Sequence, residues 1–238
     1  PIASVTKMVT ASYYLTHINQ FRRFKTELLI DGVIKDKVLY GDLYLKGYGD
    51  PTLKTDDLSF FIDAVKKLGL TKVDGDLFYD NSYLPDINYI NRNQLPQYAY
   101  NPGIGAINLN ENRILFEWKR LDKARYKTSL IAPGLKNNAR VTNIIIDLEN
   151  EKGPVYNYKL DKNKFVEKWS VNRRILGKKG SRWLPVRESS YYATEVLRQL
   201  FNERGIEIAN MKRKKAPNKS KLLCTHYSDT VSYTHLRA

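Results

Sequence analysis

Cysteine is nearly missing from this chain of 238 residues: Cys224 stands alone, which excludes an internal disulfide and any cysteine-rich metal site. Histidine is almost as scarce. His17, His226 and His235 do not fall at metal-ligand spacing, so neither a metal nor another cofactor is expected. No run approaches the roughly 18 consecutive apolar residues that a membrane-crossing helix needs. The chain opens without Met and without the charged, apolar, small-residue pattern of a secretion signal, so the expectation is of a sequence clipped upstream. Acidic residues are outnumbered, 25 Asp and Glu against 40 Lys and Arg, and the formal charge of +15 calls for an anionic partner. Nucleic acid is not the expected one. The densest basic cluster, Met211 to Lys215 with Lys219 and Lys221, contains Pro and Asn and lacks interleaved aromatics for base stacking, so it reads as a solvated loop. A peripheral contact with an anionic envelope surface would use the same charge.

What is present begins at the first seven residues, Pro1 to Lys7, where Ser4 and Lys7 stand three apart at the start of a helical pattern. Residues at that spacing share a helix face with Cβ atoms about 5–6 Å apart, so a lysine amine can reach the serine hydroxyl. A serine becomes a nucleophile when a neighbouring base takes its proton, and a lysine can do so when its amine is neutral. Burial and the positive end of the helix dipole both favour the neutral amine. The motif alone is weak, since about one Ser-x-x-Lys is expected by chance in a chain this long. Ser4 read as a plain N-cap is the competing assignment.

Val5, Met8, Val9, Tyr13, Leu15 and Ile18 recur at helical steps and predict one helix to about Asn19 with a buried face. Phe24 to Ile30 and Val33 to Leu45 read as antiparallel strands turned by Asp31-Gly32. Leu58, Phe61, Ile62, Val65 and Leu68 mark a helix capped by Thr55 or Asp56 and stopped at Gly69. Gly41-Asp42-Leu43 and Gly75-Asp76-Leu77 match in three residues only, which reads as strand, helix, strand and not as a solenoid. Asn81 to Tyr100 reads as a long functional loop. Ala106 to Asn110 and Ile114 to Trp118 read as strands, and short β segments follow to about Arg174. A last helix is expected from about Glu188 to Arg204 with Tyr192, Val196, Leu197, Leu200 and Phe201 on one face, then Gly205 and a strand at Ile206 to Ile208.

Several of these segments stand in the order found in one family. Pro1 to Lys7, Phe24-Lys25-Thr26, Gly41-Asp42-Leu43 through Gly49-Asp50-Pro51-Thr52-Leu53, Gly75 to Asp80, Ala106 to Asn112, Leu184-Pro185-Val186 and Tyr191-Tyr192-Ala193 through Gly205-Ile206 resemble the D-alanyl-D-alanine carboxypeptidase/endopeptidases of the penicillin-binding protein 4 type. The resemblance runs to about Ser228. It implies an α+β fold: the start of a serine β-lactamase/transpeptidase-like domain interrupted by a large β-rich accessory insertion. Residues 1–25 would be the first piece of the catalytic domain, 26–220 the insertion with a nested β-rich subdomain at about 120–180, and 221–238 the return toward the catalytic domain. It also implies that Ser4 is the acyl-ester nucleophile and Lys7 its general base, acting on peptidoglycan stem peptides ending in D-Ala-D-Ala. β-Lactams would acylate the same serine, and the location would be the periplasm, with a signal peptide upstream. By the same resemblance the loop 81–100 would approach the substrate stem, although no acidic residue stands near Asn93 and Gln94.

The family also carries a Ser-x-Asn element and a Lys-Thr-Gly strand, and neither occurs in this sequence; the late Ser228-Asp229-Thr230 has Thr where Asn belongs. The chain is therefore expected to be an N-terminal fragment, inactive alone, with a foreign tail at about 231–238. A non-catalytic basic module binding anionic cell-wall polymer is the alternative. A Ser-His-Asp hydrolase is disfavoured because His17 lies on the first helix and the other two histidines are read as falling in the doubtful tail.

Overall fold

The computed structural model describes residues 5–230 except 18, 20, 124, 137, 151–153, 162 and 164. Helix α1 (Thr6–His17) forms where the apolar periodicity predicts it, but none of its residues is buried. Met8, Val9, Tyr13 and Leu15 all face solvent, so the expected buried face is bare. Periodicity reports that an apolar stripe exists, and the cover for it must come from elsewhere.

Strands β1 (Lys25–Lys35) and β2 (Val38–Gly47) form a hairpin, but its turn is at Asp36-Lys37, both left-handed with φ of 49° and 66°. The Asp31-Gly32 turn is thereby corrected. Those residues lie mid-ladder, with Asp31 opposite Asp42 and Gly32 opposite Gly41. A Cβ on Gly32 would lie 2.4 Å from the Tyr40 carbonyl oxygen, so glycine there permits close strand approach and does not mark a turn.

A single 3-10 turn, Thr55–Asp57, leads into α2 (Leu58–Lys67). Asp57, and not the expected Thr55 or Asp56, holds the N-cap position of α2, and its carboxylate reaches back to accept the Lys54 N–H at 2.8 Å, at the start of the 3-10 turn. Thr55 is buried and donates to the Ala132 carbonyl, while Asp56 accepts the N–H groups of Leu135 and Lys136. Leu58, Phe61, Ile62 and Val65 face the core, and Gly69 ends the helix at φ +71°. Two short strands follow, β3 (Lys72–Val73) and β4 (Leu77–Asp80), both parallel to β2. The two Gly-Asp-Leu segments therefore lie side by side. Leu43 pairs with Leu77, and the Asp42 carboxylate accepts the Asp76 N–H at 3.1 Å.

The middle of the chain supplies β5 (Arg113–Arg120), β6 (Tyr126–Ala132), β7 (Ala139–Arg140), β8 (Ile144–Glu149), β9 (Tyr156–Asp161), β10 (Val166–Asn172) and β11 (Lys179–Pro185). They make a four-stranded sheet ordered β11-β5-β6-β7 and a three-stranded sheet ordered β8-β10-β9. After α3 (Ser189–Glu203) come β12 (Glu207–Ile208), β13 (Met211–Arg213) and β14 (Lys221–Tyr227). The largest sheet has seven strands, in the order β12-β3-β2-β1-β14 with β4 on β2 and β13 on β4.

One hydrophobic core joins all three sheets, running from Leu28 through Phe116 and Trp169 to the inner face of α3. Tyr192, Val196, Leu197, Leu200 and Phe201 are buried there as the sequence predicts. At about 2 kcal/mol for each large apolar side chain, that helix face alone contributes on the order of 10 kcal/mol of gross burial energy. Gly205, at φ +79°, closes α3.

Candidate functional site

Of the two residues singled out for chemistry, Lys7 sits exposed on the first turn of α1, and Ser4 lies outside the described residues. Near the C-terminal end of α1 the side chains pair locally. Thr16 donates to the Ser12 carbonyl at 2.9 Å, and the His17 ring stacks on Tyr13 with centroids 4.2 Å apart. His226, expected to belong with the doubtful tail, instead lies in β14 with Nε2 3.8 Å from the Asp57 carboxylate. Among the described residues no three His, Cys, Asp or Glu side chains come together as a metal site.

Past α1 the chain passes into β1 beside the point where it returns. The Ser228 N–H donates to the Phe24 carbonyl at 2.8 Å, the Phe24 N–H donates to Ser228 Oγ at 2.9 Å, and Lys25 pairs with Tyr227. Everything between is a closed excursion.

Two cavities share Pro51 and Glu111, and the second of them adjoins this neck through Tyr227 and Ser228. The first, of about 520 Å³, is walled by Leu84, Pro85, Ile87, Pro102 and Ile104. The second, of about 600 Å³, is polar and bordered by Lys54, Asp56, Asp57, His226 and Ser228. The ridge between them is built from Gly49 to Leu53 together with Asn108 to Asn112. Asn108 donates to the Asp50 carbonyl, the Asn110 N–H donates to the Leu53 carbonyl, and Asn112 donates to Asn108 and to the Gly103 carbonyl.

Asn110, Glu111 and Asn112 are all left-handed, with φ of 51°, 56° and 53°. This replaces the strand expected at 106–110. Such residues cost roughly 1–2 kcal/mol each unless local hydrogen bonds offset them, and here Asn110 and Asn112 are buried and bonded. Glu111 is held by Lys54, 2.9 Å away, and by Arg113. The alternating Asn108, Asn110 and Asn112 were visible in the sequence. Asparagine is the side chain best suited to left-handed backbone, and that signal was available.

The long loop is tied down from far away in sequence. Arg187, 1% exposed, donates to the carbonyls of Asn101, Pro96 and Asn88, and its guanidinium lies 4.1 Å from the Tyr89 ring centroid. Glu167, fully buried, accepts the backbone N–H groups of Arg187 and Glu188. Burial pushes its carboxyl up to about 7, against the pull of those two N–H groups. Asp86, which accepts from Ser190 and Asn81, is also raised by burial. None of these was marked in the sequence.

Five of the segments that gave the resemblance thus lie at the neck, the ridge and the paired Gly-Asp-Leu strands: Phe24 to Thr26, Gly41 to Leu43, Gly49 to Leu53, Gly75 to Asp80 and Ala106 to Asn112. A sequence model of the D-Ala-D-Ala carboxypeptidase 3 (S13) family matches residues 2–233. The chain belongs to that family. The match ends inside the tail expected to be foreign at 231–238, which lies outside the described residues.

Curated S13-like relatives include the D-alanyl-D-alanine carboxypeptidase of Actinomadura sp. (strain R39), 32% identical over 108 residues, 44% of this chain and 20% of that protein. D-alanyl-D-alanine carboxypeptidase DacB of Haemophilus influenzae is 35% identical over 80 residues, 34% of this chain and 17% of that protein. Penicillin-binding protein 4 (dacB) from H. influenzae superposes with a TM-score of 0.70 at 21% identity, covering 96% of this chain and 51% of that one. The same protein complexed with a β-lactam gives a TM-score of 0.63 and covers 96% and 49%. The S13 chain therefore spans about half the length of its solved relatives and shares their fold, an α+β body with a β-rich insertion.

Proposed function

We propose that this chain is the nucleophile-bearing part of a penicillin-sensitive, serine-type D-Ala-D-Ala carboxypeptidase/endopeptidase acting on peptidoglycan stem peptides in the periplasm. Ser4 Oγ attacks the carbonyl carbon of the penultimate D-alanine while its proton passes to the Lys7 amine. The C–N bond breaks as the leaving nitrogen takes that proton from Lys7 and departs as the amine, and water hydrolyses the acyl-serine. The observation that carries the reading is the Ser4–Lys7 spacing in the sequence, inside a family match that includes both residues. The name of the solved relative held with a β-lactam supports the expected penicillin sensitivity.

The same reading assigns residues 1–25 to the catalytic domain, 26–220 to an insertion and 221–238 to the return toward the catalytic domain. The paired Phe24 and Ser228 support it, because an insertion must leave and return at one place. So does the uncovered apolar face of α1, where the remainder of a catalytic domain would pack. The decisive experiment is labelling of the full gene product with a fluorescent penicillin. Covalent label on the wild type and none on Ser4→Ala is expected. Undiminished labelling of Ser4→Ala would remove the assignment.

A further inference from the structure

The sheet of β5, β6, β7 and β11 ends in a tip that is crowded with positive charge. There the β5–β6 turn lies beside the segment leading into β11: the Arg120 N–H donates to the Lys178 carbonyl at 2.7 Å, and the Tyr126 hydroxyl donates to the Leu176 carbonyl at 2.9 Å. Lys119 stands directly opposite Lys179 on one neighbouring strand and Lys127 on the other. Directly opposed residues share a sheet face, so the three ammonium groups form one row. All three residues are exposed, and among the described residues none has an ion-pair partner. Like charges set opposite one another weaken a sheet, so the row is a cost that folding does not require.

The charge is concentrated at this place. Residues 119–127 and 173–179 together hold nine Lys and Arg and one acid, Asp122, a formal +8 out of the chain's +15. Asp122 is itself engaged by Arg125 at 2.5 Å. Two aliphatic side chains project from the same tip: Leu121 is 58% exposed and Ile175 is 48% exposed. Of the nearby aromatics, Tyr126 has the Arg120 guanidinium 5.5 Å from its ring centroid, and half-buried Trp118 packs on Phe116 with centroids 5.2 Å apart, so neither is a bare ring offered for base stacking.

We propose that this tip docks the protein on an anionic lipid surface, with the row Lys179-Lys119-Lys127 toward the headgroup phosphates and Leu121 and Ile175 entering the interface. A dissolved polyanion would be held by the charge alone and would gain nothing from exposed aliphatics. A bilayer surface uses both. The tip is independent of the acyl-transfer chemistry, so Ser4→Ala leaves the docking unchanged.

The test is cosedimentation of the 238-residue chain with vesicles of phosphatidylglycerol and phosphatidylcholine, compared with phosphatidylcholine alone, at low and high salt. Binding to the anionic vesicles only, weakening as salt rises, is expected. With each basic residue contributing roughly fivefold at an anionic surface, the triple variant Lys119→Gln, Lys127→Gln, Lys179→Gln loses on the order of 100-fold. Its thermal stability matches or exceeds that of the wild type, since opposed like charges have been removed. Leu121→Ser with Ile175→Ser loses on the order of 10-fold. Absence of binding to anionic vesicles, or full binding by the lysine triple variant, overturns the proposal. Equal binding to soluble polyphosphate and to vesicles, untouched by Leu121→Ser with Ile175→Ser, would identify a general polyanion surface and overturn the lipid assignment.

Discussion

Phe24 and Ser228, 204 residues apart, close on each other through two hydrogen bonds, the Ser228 N–H to the Phe24 carbonyl and the Phe24 N–H to Ser228 Oγ. Ser228 is 3% exposed, so little water reaches this closure to replace a lost partner. Ser228→Ala leaves the Phe24 N–H unsatisfied and is expected to cost about 1–3 kcal/mol. Urea unfolding of the two proteins measures it, and an unchanged midpoint would show that the closure carries no stability.

Arg187 reaches three carbonyls of the 88–101 loop from a position between β11 and α3. Arg187→Ala strands those acceptors and removes the cation over Tyr89, with an expected loss of about 3 kcal/mol. Hydrogen exchange is the sharper readout. Amides of residues 88–101 should lose protection while those of α2 keep it; uniform loss across both would mean that Arg187 supports the whole core and not the loop.

Glu167 gives stability an unusual pH slope. Its folded carboxyl titrates at about 7, above its ordinary 4.5, so the native state binds the proton more tightly than the unfolded chain. The sign follows: this group stabilises below about 4.5 and its contribution is lost as pH rises through 7, a change of up to about 3 kcal/mol. Glu167→Gln should remove that component. The check is the difference between the two stability curves from pH 5 to 8, and parallel curves would refute the assignment.

Gly75 sits where the second Gly-Asp-Leu segment lies against the first. A Cβ there would fall 2.4 Å from the Gly41 carbonyl oxygen and 2.4 Å from Asp42 Oδ1. The backbone contact cannot give way cheaply, so Gly75→Ala is expected to cost about 1–3 kcal/mol. Gly69→Ala is the contrast. Nothing lies within 4 Å of a Cβ there, and only the left-handed φ of +71° is strained, at roughly 1 kcal/mol.

The local parts of this fold were legible, and the distant ones were not. α2 and α3 follow directly from apolar spacing, because each helix's pattern is contained within its own residues. The hairpin turn was misplaced because Asp31-Gly32 carries a strong turn signature, whereas Asp36-Lys37 adopts left-handed backbone without a glycine. The glycine was needed across the ladder, for a contact invisible in one strand alone. Arg187 and Glu167 escaped notice for the same reason, since each is defined by partners on other segments. Of the pair proposed for chemistry, Ser4 and Lys7, the spacing was legible from the outset, and only Lys7 lies among the described residues.

The antiparallel closure of β1 on β14 also has a mechanical meaning. Tension applied at residues 22 and 229 would fall first on the Lys25–Tyr227 end of that ladder and pull its two strands apart from the same side. Hydrogen bonds perpendicular to the strands then break one after another instead of sharing the load. The neck should therefore peel open at low force, while the body behind it stays whole.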